Sequence, residues 1–510
     1  MKMSKGGEFV QLLQQLALYV DSKKCAYHNP SKENGTLTYQ QLLEQAEKLA
    51  YCLQEKLQDD KTPIVVYGHK DPMMLVYFLA CVKSGRAYCP IDVNVPLERV
   101  KETIAIVGAK LVLATEVLEG VDVEVLFSDQ AVQLIATQQQ RIAPEYAVKE
   151  DELFYILFTS GSTGKPKGVC VTYGNLNRFL DWFTSYYPNR QDLVFLGFPP
   201  FSFDLSVMSL YPAIALHGTL VEIDKDVQQN YQALFTTLQQ SNATTWISTP
   251  SFADACLLDP SFNESLLPKV EQFIFCGERL FSKTVAGLYK AFPNAEVINT
   301  YGPTESTVMV TWISITKELN EKYAANLPVG RIRPNSYVWL EEEGIPVSKG
   351  EIMIAGDTVA AGYFHNEEKT QQSFFEIEYK GVRTPAYRTG DIGYYEGDLL
   401  FCEGRIDFQV KLNGFRIELE DIDHNLLKQS YIQQAVTLPH IVDGKVKSLT
   451  SYVVYNGVIE NRFATVKAIK QALKLQLPDY MIPKKIVFLE QMPVTNNNKI
   501  DRKALQEWNG

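Results

Sequence analysis

The sequence predicts an α/β protein that ends in a small α+β module, on three observations. Strand and helix patterns alternate through the first third of the chain. Beyond about residue 330, short strands follow one another between Gly and Asp turns. From Asp407 to Gly510 the charge balance turns positive, with 14 Lys and Arg against 11 Asp and Glu, while the remainder carries 35 against 49. Alternating strands and amphipathic helices imply a largely parallel sheet with helices packed on it. A chain of 510 residues is too long for one ordinary core, so at least two domains are expected.

The first helix is legible from Tyr39 to Leu53, where Tyr39, Leu42, Leu43, Ala46, Leu49, Ala50 and Leu53 recur at helical spacing. Thr38 with Gln41 makes a capping-box start. PIVVYG (63–68) then reads as a short β-branched strand, MMLVYFLACVKSG as an apolar helix ending at Gly85, and PLERVKETI as a charged helix start. Alternation continues through LVLAT, VEVLFS and LFYILFT. YVWLEEEG, GEIMIAG and GDLLFCEG suggest a small barrel-like β region. The last hundred residues mix strands (LTSYVVYN, KIVFLE) with the amphipathic helix TVKAIKQALKLQL. The boundary is expected near Gly404–Asp407, giving a large domain over 1–404 and a small domain over 405–510.

A net charge of -11 argues against a nucleic-acid polymer as ligand, since phosphate backbones demand surplus Lys and Arg. The locally basic C-terminal piece hints at an acidic partner, although surface drift would give the same balance. The eight cysteines stand singly, without metal-binding spacing. Cys25, Cys52, Cys81 and Cys89 lie among apolar or small residues and read as core thiols, a pattern suited to a reducing cytosol. The opening MKMSKGGEFVQLLQQ has no apolar run after its lysines, so no signal peptide is expected. Residues 195–221 are long and greasy, but Pro199, Pro200, Pro212 and Asp204 argue against a lipid-spanning helix. A cytoplasmic protein is expected.

The string Thr159-Ser160-Gly161-Ser162-Thr163-Gly164-Lys165-Pro166-Lys167-Gly168 directly follows the strand LFYILF. Small residues let backbone N–H groups approach polyphosphate oxygens, hydroxyls add donors and lysines add charge. It is not a Walker A loop, because Gly161 is followed five places on by Pro166. A solvated Gly/Ser turn is the plain alternative.

That string resembles the phosphate loop of the adenylate-forming superfamily of acyl-CoA synthetases, luciferases and peptide-synthetase adenylation domains. The resemblance covers essentially the whole chain. KSGRAYCPID (83–92) is similar to an early motif of that family. Asn299-Thr300-Tyr301-Gly302-Pro303-Thr304-Glu305 resembles the motif that stacks adenine on its Tyr and places its Glu near Mg²⁺. Tyr387-Arg388-Thr389-Gly390-Asp391 resembles the one whose Asp takes the ribose hydroxyls, and Gly404-Arg405-Ile406-Asp407 the hinge. Asn498-Lys499-Ile500-Asp501 carries the matching C-terminal lysine. The resemblance implies a large domain of two α/β subdomains plus a β-barrel region, ATP and Mg²⁺ as cofactors, and Arg405 beside the nucleotide.

The chemistry of these residue types agrees. A carboxylate attacking the α-phosphate of ATP meets like charge, and a Lys on a flexible stem such as Lys499 can bridge the two. Without the upstream motifs, Lys499 would read as an ordinary exposed lysine. Asp391 can accept both ribose hydroxyls, the use that dinucleotide folds make of an acidic residue, or can simply serve a turn. Tyr301 could be a plain core aromatic, but beside Gly302 and Pro303 an exposed stacking face is the expected reading. Glu305 is the candidate Mg²⁺ contact, since Mg²⁺ is held by one or two carboxylates plus phosphates.

Asp204, in Phe201-Ser202-Phe203-Asp204-Leu205-Ser206-Val207-Met208, is a lone charge in a greasy run and is costly unless paired. An α-ammonium would pair with it. The resemblance places such an Asp in amino-acid-activating members, whereas capping of the following helix is the structural alternative. Leu205, Met208, Cys276 and Val308 are carried by family position to the pocket walls, which implies a small substrate. FIFCGE (273–278) and the stand-alone length are similar to the branch that activates D-alanine for a carrier protein, where the Cys matching Cys276 favours D- over L-alanine. From the residues alone, Cys276 could equally be a buried core thiol.

The resemblance implies formation of D-alanyl-AMP and pyrophosphate, followed by transfer to the phosphopantetheine thiol of a small acidic D-alanyl carrier protein. Its product would serve lipoteichoic acid D-alanylation. The alternatives are an adenylation enzyme for another small amino acid, an acyl- or aryl-CoA ligase, and a nucleotide-binding regulatory protein without turnover.

Overall fold

The computed structural model describes residues 11–161, 164–494 and 500–507. It divides into two compact units. The first comprises Met1–Asp92, Ile106–Leu157 and Gly168–Ile406; the second joins Val93–Ala105 and Phe158–Lys167 to Asp407–Gly510. A linear reading of the chain does not anticipate the interleaved segments.

The first unit is organised by two sheets with buried strands, built as the hydrophobic patterns require. A six-stranded sheet runs in the order Glu124–Phe127, Leu111–Ala114, Ile64–Tyr67, Tyr88–Ile91, Leu153–Thr159, Lys167–Thr172. Its pairs from Glu124–Phe127 through Ile64–Tyr67 to Tyr88–Ile91 are parallel. The helix Tyr39–Leu57 packs against the helix Pro72–Lys83, its capping box is formed, and the seven residues of the periodic stripe are its buried ones. A nine-stranded sheet has the order Arg331–Ile332, Thr311–Ser314, Glu296–Asn299, Gln272–Phe275, Thr245–Ser248, Val194–Gly197, Thr219–Glu222, Cys25–His28, Thr36–Thr38. The six strands from Glu296–Asn299 to Cys25–His28 pair in parallel. Functional residues are expected beyond the carboxyl ends of such strands. Past residue 330 a six-stranded antiparallel sheet follows.

The greasy stretch 195–221 resolves into the strand Val194–Gly197, the helix Asp204–Ala215 and the strand Thr219–Glu222. Among the described residues no helix is long and apolar enough to cross a membrane. All eight cysteines are free. Cys81 and Cys89 are buried, but Cys25 and Cys52 are only half-buried, so these two are not core thiols. Cys25 begins the strand next to the edge of the nine-stranded sheet and Cys52 lies on the helix flank beside Gln138, positions that periodicity alone does not distinguish from the core.

In the second unit a hairpin, Gln409–Leu412 with Phe415–Glu418, turns at Asn413 and Gly414, both at positive φ. That is the turn geometry which Asn-Gly favours, because its twist matches the flanking strands. A three-stranded sheet of Ile432–Val442, Lys445–Tyr455 and Lys485–Leu489 then packs with the helices Leu419–Leu427 and Arg462–Lys474. Their shared core includes Ile417, Ile422, Leu426, Val453, Ile469 and Leu473.

Candidate active site

The strand Glu296–Asn299 delivers the 299–305 motif into a tight return that ends at the strand Thr311–Ser314. Asn299 donates to the Pro328 carbonyl at 2.8 Å and Thr300 to the Phe275 carbonyl at 2.8 Å, tying the motif to neighbouring chain ends. Gly302 has no substitute here, since a Cβ would lie 2.5 Å from the Met309 Cα and 2.8 Å from the Val308 carbonyl. Thr307 and Val308 both hold positive φ, 59° and 73°. For two consecutive β-branched residues this is a strained turn. The Thr307 hydroxyl helps to fix it by donating to the Thr358 carbonyl at 2.8 Å.

Tyr301 differs from expectation. Its side chain is buried, only 6 % exposed, and its hydroxyl donates to Asp391 Oδ2 at 2.7 Å. Burial, with the Asp391 charge second, drives the phenol well above its ordinary pKa, so it stays a donor. Arg405 donates to the other oxygen, Asp391 Oδ1, at 2.7 Å. Asp391 thus carries a phenol on one oxygen and a guanidinium on the other, with lone pairs left to share with ligand hydroxyls. Glu305 is fully buried, and its Oε1 accepts from the Tyr363 hydroxyl at 2.8 Å. Tyr363 is a partner that sequence reasoning missed. It lies 58 residues away, and only pairing across the fold reveals it.

Asp204 opens the helix Asp204–Ala215 as its first residue; the N-cap is Phe203, which makes no side-chain capping bond. The Asp is thus not the N-cap itself, and its place in the first turn suits the helix dipole. Its half-buried carboxylate accepts from the Thr304 hydroxyl at 2.6 Å, a short charge-assisted bond. This contact joins the 299–305 motif to the greasy loop before the helix. Leu205, Met208, Cys276 and Val308 are all buried and belong to one apolar cluster. Cys276, 4 % exposed, follows the strand Gln272–Phe275 and points its thiol at the Val308 carbonyl, 3.8 Å away. The strained turn and the thiol thus meet directly.

The described residues of the 159–168 string lie in the second unit, apart from Gly168. Thr159 ends a strand and Lys167 begins the next. Between them Gly164 donates to the Gly161 carbonyl at 3.0 Å, with Gly164 at φ 75°. At Gly161 a Cβ would lie 2.1 Å from the Lys165 carbonyl. Ser162 and Thr163 lie outside the described residues, as does Lys499. Ser160 donates to the Arg416 carbonyl at 3.0 Å and accepts from the Glu418 N–H at 3.1 Å, while Lys167 stands 3.6 Å from Glu418. Arg99, unnoticed in the sequence beyond a charged helix start, donates to the Gly164 carbonyl at 2.9 Å and to Asp421 at 2.7 Å. Among the described residues no three His, Cys, Asp or Glu side chains gather as a metal site.

Residues 15–364 match the family model of the AMP-binding enzymes, and the chain belongs to that family. It is similar to a D-alanine–D-alanyl carrier protein ligase of Bacillus cereus (strain G9842), with 44 % identity over 481 residues, covering 92 % of this chain and 94 % of the relative. A ligase of the same description from Bacillus anthracis is 43 % identical over 480 residues, with the same coverage. Among solved structures, the fold resembles a double mutant of o-succinylbenzoate CoA synthetase from Bacillus subtilis. The TM-score is 0.83 at 18 % identity, over 98 % of this chain and 99 % of that one. It also resembles the Vibrio cholerae adenylation domain AlmE in complex with glycyl-adenosine-5'-phosphate. There the TM-score is 0.80 at 22 % identity, over 99 % of both chains. At these identities the two structures speak for the fold alone.

Proposed function

We propose that this AMP-binding enzyme uses ATP to activate D-alanine as D-alanyl-AMP and then passes the acyl group to the phosphopantetheine thiol of a D-alanyl carrier protein. The observation that carries the reading is 44 % identity over 92 % of the chain to a ligase so described. The site supports it, because Asp204 and the buried walls Leu205, Met208, Cys276 and Val308 suit a small substrate with an ammonium group. A fatty acid brings no ammonium group for a carboxylate at this place to bind. That disfavours the acyl-CoA ligase reading.

In the first half-reaction a carboxylate oxygen of D-alanine attacks the α-phosphorus. A new P–O bond forms, the α–β bridge breaks and pyrophosphate leaves. Asp204 would hold the ammonium, and Thr304 orients Asp204. Asp391, steadied by Tyr301 and Arg405, would accept the ribose hydroxyls. The residues Thr159–Gly164 and Lys167 would cradle phosphates. Mg²⁺ held mostly by phosphate oxygens needs only one or two protein carboxylates, a demand that the buried, hydrogen-bonded Glu305 fits. Bound there, the ion would neutralise phosphate charge. Lys499 would bridge the two anions in the transition state.

In the second half-reaction the carrier thiolate attacks the acyl carbon, the mixed anhydride C–O bond breaks and AMP leaves. No side-chain nucleophile is needed, so Ser160 and Cys276 have no covalent role. Asp407, where the chain passes from one unit to the other, is the proposed hinge between the half-reactions. The carrier would be small and acidic, the setting cytoplasmic and the product destined for lipoteichoic acid. ATP–pyrophosphate exchange over a panel of acids tests the reading. D-alanine should drive exchange far better than L-alanine, glycine or acetate, and equal rates with acetate or a long-chain acid would overturn it.

A further inference from the structure

Away from the nucleotide residues, the first unit contains a fully buried ion pair with no part in the chemistry described so far. Lys70 follows the strand Ile64–Tyr67 of the six-stranded sheet and is 1 % exposed; Glu222 ends a strand of the nine-stranded sheet and is 0 % exposed. Their charges approach to 2.8 Å. A buried pair of this kind rarely adds net stability against an apolar replacement, so its presence asks for another explanation.

The ammonium shows what it is for. Lys70 Nζ donates to three backbone carbonyls, Gly197 at 3.1 Å, Phe198 at 2.7 Å and Ile223 at 2.8 Å. Those three acceptors use all the hydrogens that an ammonium has. Glu222 then serves to neutralise the charge, and neither of its oxygens has a well-directed hydrogen bond. Burial pushes its carboxyl pKa up, while the Lys70 charge opposes that. Gly197 leaves room for this carboxylate, since a Cβ there would lie 2.2 Å from Glu222 Oε1.

The lysine is itself held in place. Its backbone sits at φ 47°, and its carbonyl accepts from the Tyr27 hydroxyl at 2.6 Å and from Asn29 at 2.8 Å. Gln228 grips the same Phe198 and Ile223 carbonyls from elsewhere, at 2.8 and 2.7 Å.

The clamped carbonyls stand directly before the segment that delivers Asp204. From Phe198 the chain runs through Pro199 and Pro200, whose fixed φ stiffens it. Phe203 then donates back to the Pro200 carbonyl at 3.0 Å, and Ser206 to the Phe203 carbonyl at 2.6 Å. A short, internally bonded link of this kind transmits a shift of its anchored end to its far end.

We propose that Lys70 is a positioning residue for amino-acid recognition, fixing the strand ends from which the 199–203 loop presents Asp204. The inference rests on the reading of Asp204 as the ammonium partner. Displacement of a substrate-positioning group by about 1 Å can cost on the order of a hundredfold, so loss of the clamp should be visible in substrate binding.

The test uses the full-length enzyme with Lys70→Met, Glu222→Gln and the double variant, with D-alanine and ATP titrated separately in pyrophosphate exchange and Tm recorded for each. Lys70→Met alone strands a buried carboxylate and can fail to fold. The double variant removes that charge and is the arbiter. It should raise the D-alanine KM by about tenfold or more, lower the preference for D- over L-alanine and leave the ATP KM within about twofold. A purely structural role would not separate the two substrates in this way. A wild-type D-alanine KM in the folded double variant overturns the inference, as does a matching rise in both KM values. Asp204→Asn, run alongside, distinguishes the failures. If it raises the D-alanine KM and the double variant does not, the clamp alone is overturned; if neither does, the reading of Asp204 falls and the inference with it.

Discussion

Replacing Asp204 with Asn removes the charge proposed to face the substrate ammonium while keeping the shape of the side chain. Its carboxylate accepts from the Thr304 hydroxyl at 2.6 Å, so the wild-type group is already oriented before substrate arrives. Loss of one member of a buried charge pair costs about 3–5 kcal/mol. Asp204 is half-buried, and solvent screening brings the figure to about 2–3 kcal/mol. At about 1.4 kcal/mol per tenfold, the D-alanine KM should rise roughly 30- to 150-fold. The ATP KM should stay near wild type, because the proposed ribose contact is Asp391, held by Tyr301 and Arg405 rather than by Asp204. Pyrophosphate exchange with each substrate varied in turn gives both constants. An unchanged D-alanine KM, or an equal rise in both, would refute the assignment.

Three further expectations follow from the same geometry. Cys276→Ala should lower the D/L rate ratio without moving the ATP KM, because a side chain that crowds one wall discriminates by clash; an unchanged ratio returns Cys276 to the role of a core thiol. Lys499→Ala should slow adenylate formation by about 10²–10³-fold in single-turnover assays, the scale for losing one preorganised transition-state donor. It should spare transfer from preformed D-alanyl-AMP, and equal losses in both half-reactions would rule out the two-stage use of Lys499. Asp423, buried in the second unit with Arg502 3.7 Å away, has its carboxyl pushed up to about 7 by burial, against hydrogen bonds from Thr437. The folded unit therefore holds this proton up to about pH 7, whereas the unfolded chain releases it near 4, so stability should fall between those values and level off above. The fall amounts to as much as about 4 kcal/mol. Hydrogen exchange of the Ile432–Val442 amides should show the slope in wild type and its loss in Asp423→Asn.

What the sequence made legible was whatever repeats locally or stands as a contiguous motif. The stripe from Tyr39 to Leu53 and its capping box are present as read, because helical period and capping are decided within a few residues. The family motifs were legible for the same reason. Contacts across the fold were not. The pairing of Asp391 with Tyr301 spans 90 residues, Tyr363 with Glu305 spans 58, and Thr304 with Asp204 spans 100. Tyr301 was expected to show a face to solvent because Gly and Pro flank it, but its hydroxyl found a buried carboxylate instead. Cys25 and Cys52 were placed in the core by their neighbours in sequence, yet strand position and helix flank decide exposure. The Lys70–Glu222 pair left no mark, since neither residue belongs to a motif.

The turn at Thr307 and Val308 has a bearing on how this enzyme can drift under mutation. Two β-branched side chains are kept where Gly or Asn would relax the backbone, and Val308 is also a wall of the proposed substrate pocket. Replacement by a conformationally easier residue would ease the fold locally and at the same time trim that wall. Selection for robustness and selection for substrate choice therefore pull this short segment in opposite directions. A screen for heat tolerance alone should find gains at these two positions, and the same replacements should alter the wall proposed for Val308.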